Sequence, residues 1–407
     1  MRRLLAAALL LAACERREAP AAGGGDAVPA EAARATHVVR DSAGVTVVES
    51  SAPAWGDRAG WRVDAEPRWA VGGVAGDPMR DVAGVRSGTR LPDGTVVVAN
   101  GATGELRLFG PDGAPRRALG GRGTGDGRFA ALARVFARGD TVVAWDERRQ
   151  ALTRFLPDGT LLGVERVLVR DTTRLSRVLG LLGDGSLLAA VAEPVDVATV
   201  PGPVVRVATT LYRVRGDRSD SLVTVPGEEL VVRRARQGTA AMLRPFGLAT
   251  RALVQDDGFV VGEGDRHAFR RYDADGRLVA VYRRAGARLP LVAEDTARER
   301  SVRAGAARTA REREQLDALW RTLPFPDSLP AHGELVEDAA GGFWTRDVMH
   351  AADSTSRWQA YAADGAWLGA IALPPRTAPL AIGPDWVLAR RVDAAGVEFV
   401  QLHALAR

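Results

Sequence analysis

The chain has 407 residues, 46% of them hydrophobic, with 45 glycines, 22 prolines and a formal net charge of +5. That length supports one large domain or two ordinary ones, and the glycine and proline content suits many turns rather than long helices. All 55 basic residues are arginine and 50 acidic residues lie among them; no basic run alternates with aromatics, which argues against a nucleic-acid partner.

The chain opens "MRRLLAAALLLAAC": Arg2 and Arg3, then an apolar run from Leu4 to Ala13. Crossing a bilayer takes about 20 apolar residues, so residues 1–13 read as a signal peptide rather than a membrane helix. The run ends in "LAAC", residues 11–14, which resembles the bacterial lipoprotein box. The resemblance implies cleavage before Cys14 and acylation of that cysteine. Each buried methylene contributes roughly 0.8 kcal/mol, so several acyl chains anchor firmly where one would not. Cys14 is the sole cysteine, and disulfides within the chain are therefore excluded. Residues 14–35 are small, polar and punctuated by proline and glycine, the composition of a flexible tether. The resemblance places the protein on the bacterial cell envelope, facing the periplasm or the exterior.

Two strand-like segments follow, "THVVRDSAGVTVVES" at 36–50 and "WRVDAEPRWAVG" at 61–72. From residue 80 a pattern recurs: a short strand, an Asp-Gly or similar turn, a Val-rich strand, a polar turn, a third strand, a second Asp-Gly turn and a fourth strand. "RLPDGTVVVANGATGELRLFGPDGAPRRALG" (90–120) is the clearest copy, and "FARGDTVVAWDERRQALTRFLPDGTLLG" (136–163) is the next. Asp-Gly between apolar runs signals a hairpin, because the turn needs a positive φ that glycine adopts freely. Further copies begin near "LLGDGSLLAAVAEP", at 253–284, at 335–373 and at "LAIGPDWVLARRVDAAGVEFVQLHAL". The third and fourth copies are stretched by "VDVATVPGPVVRVA" and "GEELVVRRARQGTAAMLRPFG". The last lacks an outer strand, which 36–50 or 61–72 could supply.

Between the first two copies lies "ALGGRGTGDGRFA", residues 118–130. It is no phosphate loop: there is no Gly-Lys-Ser/Thr, and in G-x-G-x-x-G the third position falls on Asp126. Its Gly120, Gly123, Gly125-Asp126-Gly127 and Phe129 resemble the linker of NHL-type propeller repeats, in which the chain crosses from the rim of one blade to the axis of the next. Over residues 36–407 the resemblance implies an all-β fold: a six-bladed beta-propeller of four-stranded antiparallel blades, its ring closed by N- and C-terminal strands. Residues 293–323 interrupt it with Ala, Arg and Glu, a helical insertion whose Leu316, Leu319 and Trp320 form an apolar stripe.

No H-E-x-x-H or G-x-S-x-G occurs, and His37, His267, His332, His350 and His403 lack metal-ligand spacing, so no catalytic group, metal or cofactor is assigned. "RGD" at 138–140 and 215–217 falls at expected turns. The inner strands offer few carboxylates, chiefly Asp81, Glu334 and Glu337. They offer Arg86, Arg134, Arg177 and Arg251, which facing a shared channel would attract a carboxylate or phosphate. The aromatics Trp145, Phe259, Phe343, Trp344 and Trp386 sit on second strands and read as inter-sheet core. The expected function is a non-catalytic, lipid-anchored envelope module, a monomer that binds a protein, peptide, glycan or small anionic ligand. The alternative is a metal-assisted hydrolase or lyase, lactonase-like, that uses the channel; it requires three convergent ligands or an acid/base pair.

Overall fold

The computed structural model describes residues 36–407 apart from 57–59, 74–76, 168–176, 236–237, 256 and 354. The signal segment, Cys14 and the tether lie outside the described residues.

A hairpin opens the described chain: β1 (His37–Ser42) and β2 (Val45–Ser50). Its two-residue turn, Ala43-Gly44, has φ of 55° and 81°, the positive pair that matches the twist of paired strands. The short strands β3 (Arg62–Val63) and β4 (Trp69–Gly72) follow.

Among the described residues six sheets, antiparallel but for one strand pair, then succeed one another along the chain. The first comprises β5 (Val85–Arg90), β6 (Val96–Asn100), β7 (Glu105–Phe109) and β8 (Pro115–Gly120). In the second are β9 (Leu132–Arg138), β10 (Thr141–Asp146), β11 (Ala151–Phe155) and β12 (Leu161–Arg166). The third adds a strand: β13 (Arg177–Leu181), β14 (Leu187–Ala192), β15 (Val204–Arg215), β16 (Arg218–Ala235) and β17 (Gly238–Leu243). The fourth contains β18 (Arg251–Gln255), β19 (Gly258–Gly262), β20 (Ala268–Asp273) and β21 (Leu278–Arg284). After the helices α1 (Ala293–Ala306) and α2 (Ala310–Trp320), the fifth has β22 (Leu335–Glu337), β23 (Phe343–Arg346), β24 (Ser356–Tyr361) and β25 (Trp367–Leu373). The sixth has β26 (Thr377–Ile382), β27 (Trp386–Val392) and β28 (Glu398–Ala406).

The Asp-Gly turns work as their chemistry requires. Gly94, Gly113, Gly159 and Gly185 have φ between 78° and 96°. In each turn the preceding aspartate accepts the N–H two residues on: Asp93 from Thr95, Asp112 from Ala114, Asp158 from Thr160 and Asp184 from Ser186. The side chain thus adds to the backbone bond that closes each turn, such as Gly94 N–H to the Leu91 carbonyl at 2.9 Å.

Apolar clusters join one sheet to the next. Val97, Leu106 and Leu119 of the first meet Val135, Val142 and Phe155 of the second. Val143 and Trp145 meet Val178 and Leu187; Leu188 and Leu211 meet Phe259 and Val261. Phe269 and Tyr282 meet Phe343 and Tyr361, and Trp344 and Trp358 meet Val387 and Ala389. A further cluster joins Leu388, Val400 and Leu402 of the sixth sheet to Val85, Val96 and Val98 of the first.

Phe129 sits where the glycine-rich linker places it, 1% exposed between the first two sheets. Gly120 has φ 85°, and a Cβ there would lie 2.4 Å from the Phe129 ring, so this position needs glycine for both its conformation and its space.

Two sequence expectations are corrected. The 36–50 segment does not complete the last sheet: β2 pairs in parallel with β21 of the fourth, where Val48 is buried against Val260, Phe269 and Tyr282. It is β4 that pairs with β28, joined by β3 near its end. Both long stretches, expected to widen the third and fourth copies, belong to the third sheet: they lengthen β15 and β16 and add β17. The helical insertion is two helices with its own contact surface. Thr309 and Glu312 form a capping box at the start of α2, and Leu316, Leu319 and Trp320 pack on Val231 and Met242 of that widened sheet.

Candidate functional site

The first strand of four successive sheets carries an arginine near its start: Arg86 on β5, Arg134 on β9, Arg177 on β13 and Arg251 on β18; β5 and β9 also end on Arg90 and Arg138. Arg86, Arg134 and Arg177 line one recess of about 270 Å³ with Trp145 and Glu147. Arg251 does not line it. It lies close enough for its charge to act on Arg177, and it pairs with Glu228 at 3.6 Å.

The recess is electrostatically uneven. Burial lowers the pKa of Arg134, and the positive charge of Arg177 lowers it further, against the pull of Glu147. Arg177 is lowered in the same way, by burial and then by Arg251, with Glu228 and Glu147 opposing. Guanidiniums stay protonated throughout the physiological range, so these shifts register burial first and neighbouring positive charge second, and an incoming anion would offset the latter. Arg134 donates one hydrogen bond, Nη1 to the Leu179 carbonyl at 3.0 Å. The side chains of Arg86 and Arg177 have no hydrogen bond or ion pair among the described residues. Their forked donors suit a carboxylate or phosphate, which accepts them in pairs.

Strand pairing fixes what stands beside each arginine. Trp145 is the cross-strand partner of Arg134, Ala190 of Arg177 and Gly262 of Arg251. Partners in register share a face of their sheet. Trp145 is 2% exposed and fills the space between the second and third sheets. At Gly262 the His332 ring takes that space, 2.5 Å from where a Cβ would stand. Ala190 has no such filler. Beside it a chamber of about 420 Å³ opens between the third and fourth sheets, and Arg177 lines both this chamber and the recess.

The expected inner carboxylates do not join the arginines. Asp81 precedes β5 and lines a separate cavity with Asp77 and Glu398. Glu334 precedes β22 and pairs with Arg346 at 3.3 Å, and only Glu337 lies on a strand. Glu147 and Glu228, which the sequence reading did not single out, are the acidic neighbours instead. Each lies just past a strand end or within a long strand of the widened sheet, and nothing local in the sequence marks it. Phe259, Phe343 and Trp344 are buried core, whereas Trp386 is half-buried with Arg90 over its ring at 5.1 Å. Both RGD triplets sit at turns, between β9 and β10 and between β15 and β16. Among the described residues no group of three or more His, Cys, Asp or Glu side chains is placed to hold a metal ion, and no helix is long and apolar enough to cross a membrane.

No family model matches the chain, and no curated protein matches its sequence. Solved structures are similar to it at low identity. A member of the DUF4221 family from Bacteroides vulgatus has a TM-score of 0.47 at 8% identity, covering 85% of this chain and 99% of its own. A candidate exported protein from Bacteroides fragilis has a TM-score of 0.45 at 11% identity, covering 88% and 99%. Virginiamycin B lyase from Staphylococcus aureus has a TM-score of 0.40 at 9% identity, covering 86% and 100%. At these similarities none of the three assigns an activity, a ligand or a partner to this chain.

Proposed function

We propose that the six sheets are the blades of a closed, NHL-like propeller and that the protein is a monomeric, non-catalytic binding module for a small anionic ligand, held at the cell envelope through Cys14. The observation that carries the ligand is the convergence of Arg86, Arg134 and Arg177, from three separate sheets, on one recess. Ring closure is supported by the cluster between the sixth and first sheets and by the pairing of β4 with β28. Such pairing covers an otherwise open sheet edge. The envelope placement rests on the "LAAC" box alone.

Titration calorimetry with citrate and with inorganic phosphate tests this reading. A hydrogen bond to a charged group contributes about 1.5–3 kcal/mol, roughly a tenfold or larger change in affinity per arginine. Wild type is expected to bind at least one probe, more weakly as salt rises, and Arg134→Ala with Arg177→Ala to lose it. Equal affinity in the double variant overturns the reading. Cys14→Ser is expected to move the protein from the membrane to the soluble fraction.

A further inference from the structure

The chamber beside Ala190 has walls that the recess lacks. Leu179, Ala190, Val207, Leu211, Leu230 and Ala252 line it, drawn from both the third and fourth sheets. Leu211 is 1% exposed and Ala190 6%, so the floor of the chamber belongs to the protein interior while Arg177 and Glu228 stand at its exposed side. The volume, about 420 Å³, falls within the range of small-molecule sites. It coincides with one local difference between sheets. At the position that Trp145 fills beside Arg134, and His332 fills beside Arg251, the third sheet has the single methyl of Ala190 beside Arg177.

The polar groups of the wall are mostly engaged. Glu193 accepts the Thr210 hydroxyl, Thr250 donates to the Pro226 carbonyl, and Glu228 is paired with Arg251. Arg177 is the lining cation without a hydrogen bond or ion pair among the described residues. It stands where the apolar chamber meets the positive recess. A ligand that satisfies this place has an apolar body and one anionic end. The two carboxylates on the wall, Glu193 and Glu228, disfavour a second negative charge inside it.

We propose that the chamber between the third and fourth sheets binds the apolar body of an amphipathic monocarboxylate, with Arg177 holding the carboxylate at the chamber mouth. The inference rests on the reading of Arg177 as part of an anion site and adds the class of ligand. Burying apolar surface contributes roughly 25 cal/mol per Å², so chain length controls affinity while the guanidinium selects the charged head.

Calorimetric titration of the full chain with decanoate, decanol and acetate tests it. Decanoate is expected to bind, decanol at least tenfold more weakly, and acetate not measurably. Ala190→Trp, which copies Trp145, is expected to abolish decanoate binding while citrate binding at the recess persists. Arg177→Gln is expected to remove the preference for decanoate over decanol. Where Ala190→Trp lowers the melting temperature, Ala252→Leu narrows the chamber from the opposite sheet and is expected to weaken decanoate at least tenfold. Unchanged decanoate affinity in a folded chamber-filling variant, or equal binding of decanol and decanoate to wild type, overturns the proposal. Loss of citrate binding alone in Arg134→Ala, with decanoate intact, separates a recess function from the chamber; absence of citrate binding in wild type with decanoate bound would overturn the recess reading and leave the chamber standing.

Discussion

The Nε2 of His332 accepts the backbone N–H of Gly264 at 3.2 Å, while its Nδ1 faces the Gly333 carbonyl at 3.2 Å. One ring nitrogen accepts and the other donates, an arrangement that only the neutral imidazole satisfies. Burial pushes the His332 pKa down to about 4; the Gly333 carbonyl pulls it up, and the charge of Arg251 pushes down again. His267 is also pushed down to about 4, by burial first and then by Arg284.

A pH dependence follows from the sign of these shifts. Both folded-state values lie below the ordinary 6.5, so the unfolded chain takes up protons first as pH falls. Stability is then full above about 6.5 and is lost as pH drops toward about 4, with a slope approaching roughly 1.4 kcal/mol per pH unit for each histidine. Denaturant melts across that window are expected to show the loss, and His267→Asn with His332→Gln to lessen it, leaving the part due to His403, which burial also holds low. A wild-type stability independent of pH there would contradict the account. Carboxylates with lowered values, such as Asp295 and Glu398, begin to lose their contribution near their ordinary values of 3.8 and 4.5, at the bottom of that window and below it.

Phe129→Ala is expected to destabilise the protein by about 3–5 kcal/mol, because a large buried ring is removed and the space only partly collapses. The ring lies among Leu119, Leu132 and Phe155 and contacts Phe155 at a centroid distance of 6.4 Å. Urea denaturation measures the loss; a change below about 1 kcal/mol would show that the linker does not plug the gap.

Asp146 is fully buried and accepts the backbone N–H groups of Ala130, Ala131, Arg148 and Arg149 at 2.6 to 3.1 Å. It ties the end of the linker to the turn after β10, beside the recess. Asp146→Ala removes the shared acceptor of four part-buried backbone donors, at about 1–3 kcal/mol for any that water does not reach, and is expected to lower stability by at least about 2 kcal/mol. Citrate affinity should fall with it, because Glu147 and Trp145 are its chain neighbours; retained stability would refute the account.

Val48→Asp places a carboxylate against Val260 and Tyr282. Hydrogen exchange is expected to accelerate in β1 and β2 while the amides of the sixth sheet stay protected. Equal acceleration in β28 would mean that the hairpin holds the last sheet after all.

Much of the architecture was written locally. Asp-Gly pairs, alternating apolar runs and the spacing of the copies mark the hairpins of the sheets, because turn conformation and strand alternation are decided within a few residues. The arginines on the first strands of the first four sheets were visible for the same reason: their distance from the following turn is set within a few residues of chain. The stripe of Leu316, Leu319 and Trp320 announced a packed helix face.

What the sequence left open concerns partners far apart in the chain. Both 36–50 and 61–72 alternate well enough to join any exposed edge, and only the packed sheets decide that Val48 goes to the fourth sheet and that β4 goes to β28. The recess has the same origin. Whether Arg86, Arg134 and Arg177 meet depends on how neighbouring sheets stack, and whether a chamber opens beside Ala190 depends on what fills the equivalent space elsewhere: a tryptophan within its own sheet, or a histidine arriving from 70 positions later in the chain, at His332 over Gly262. Short-range propensity sets turns and strand faces; empty volume and gathered charge are properties of surfaces brought together only when the whole chain has packed.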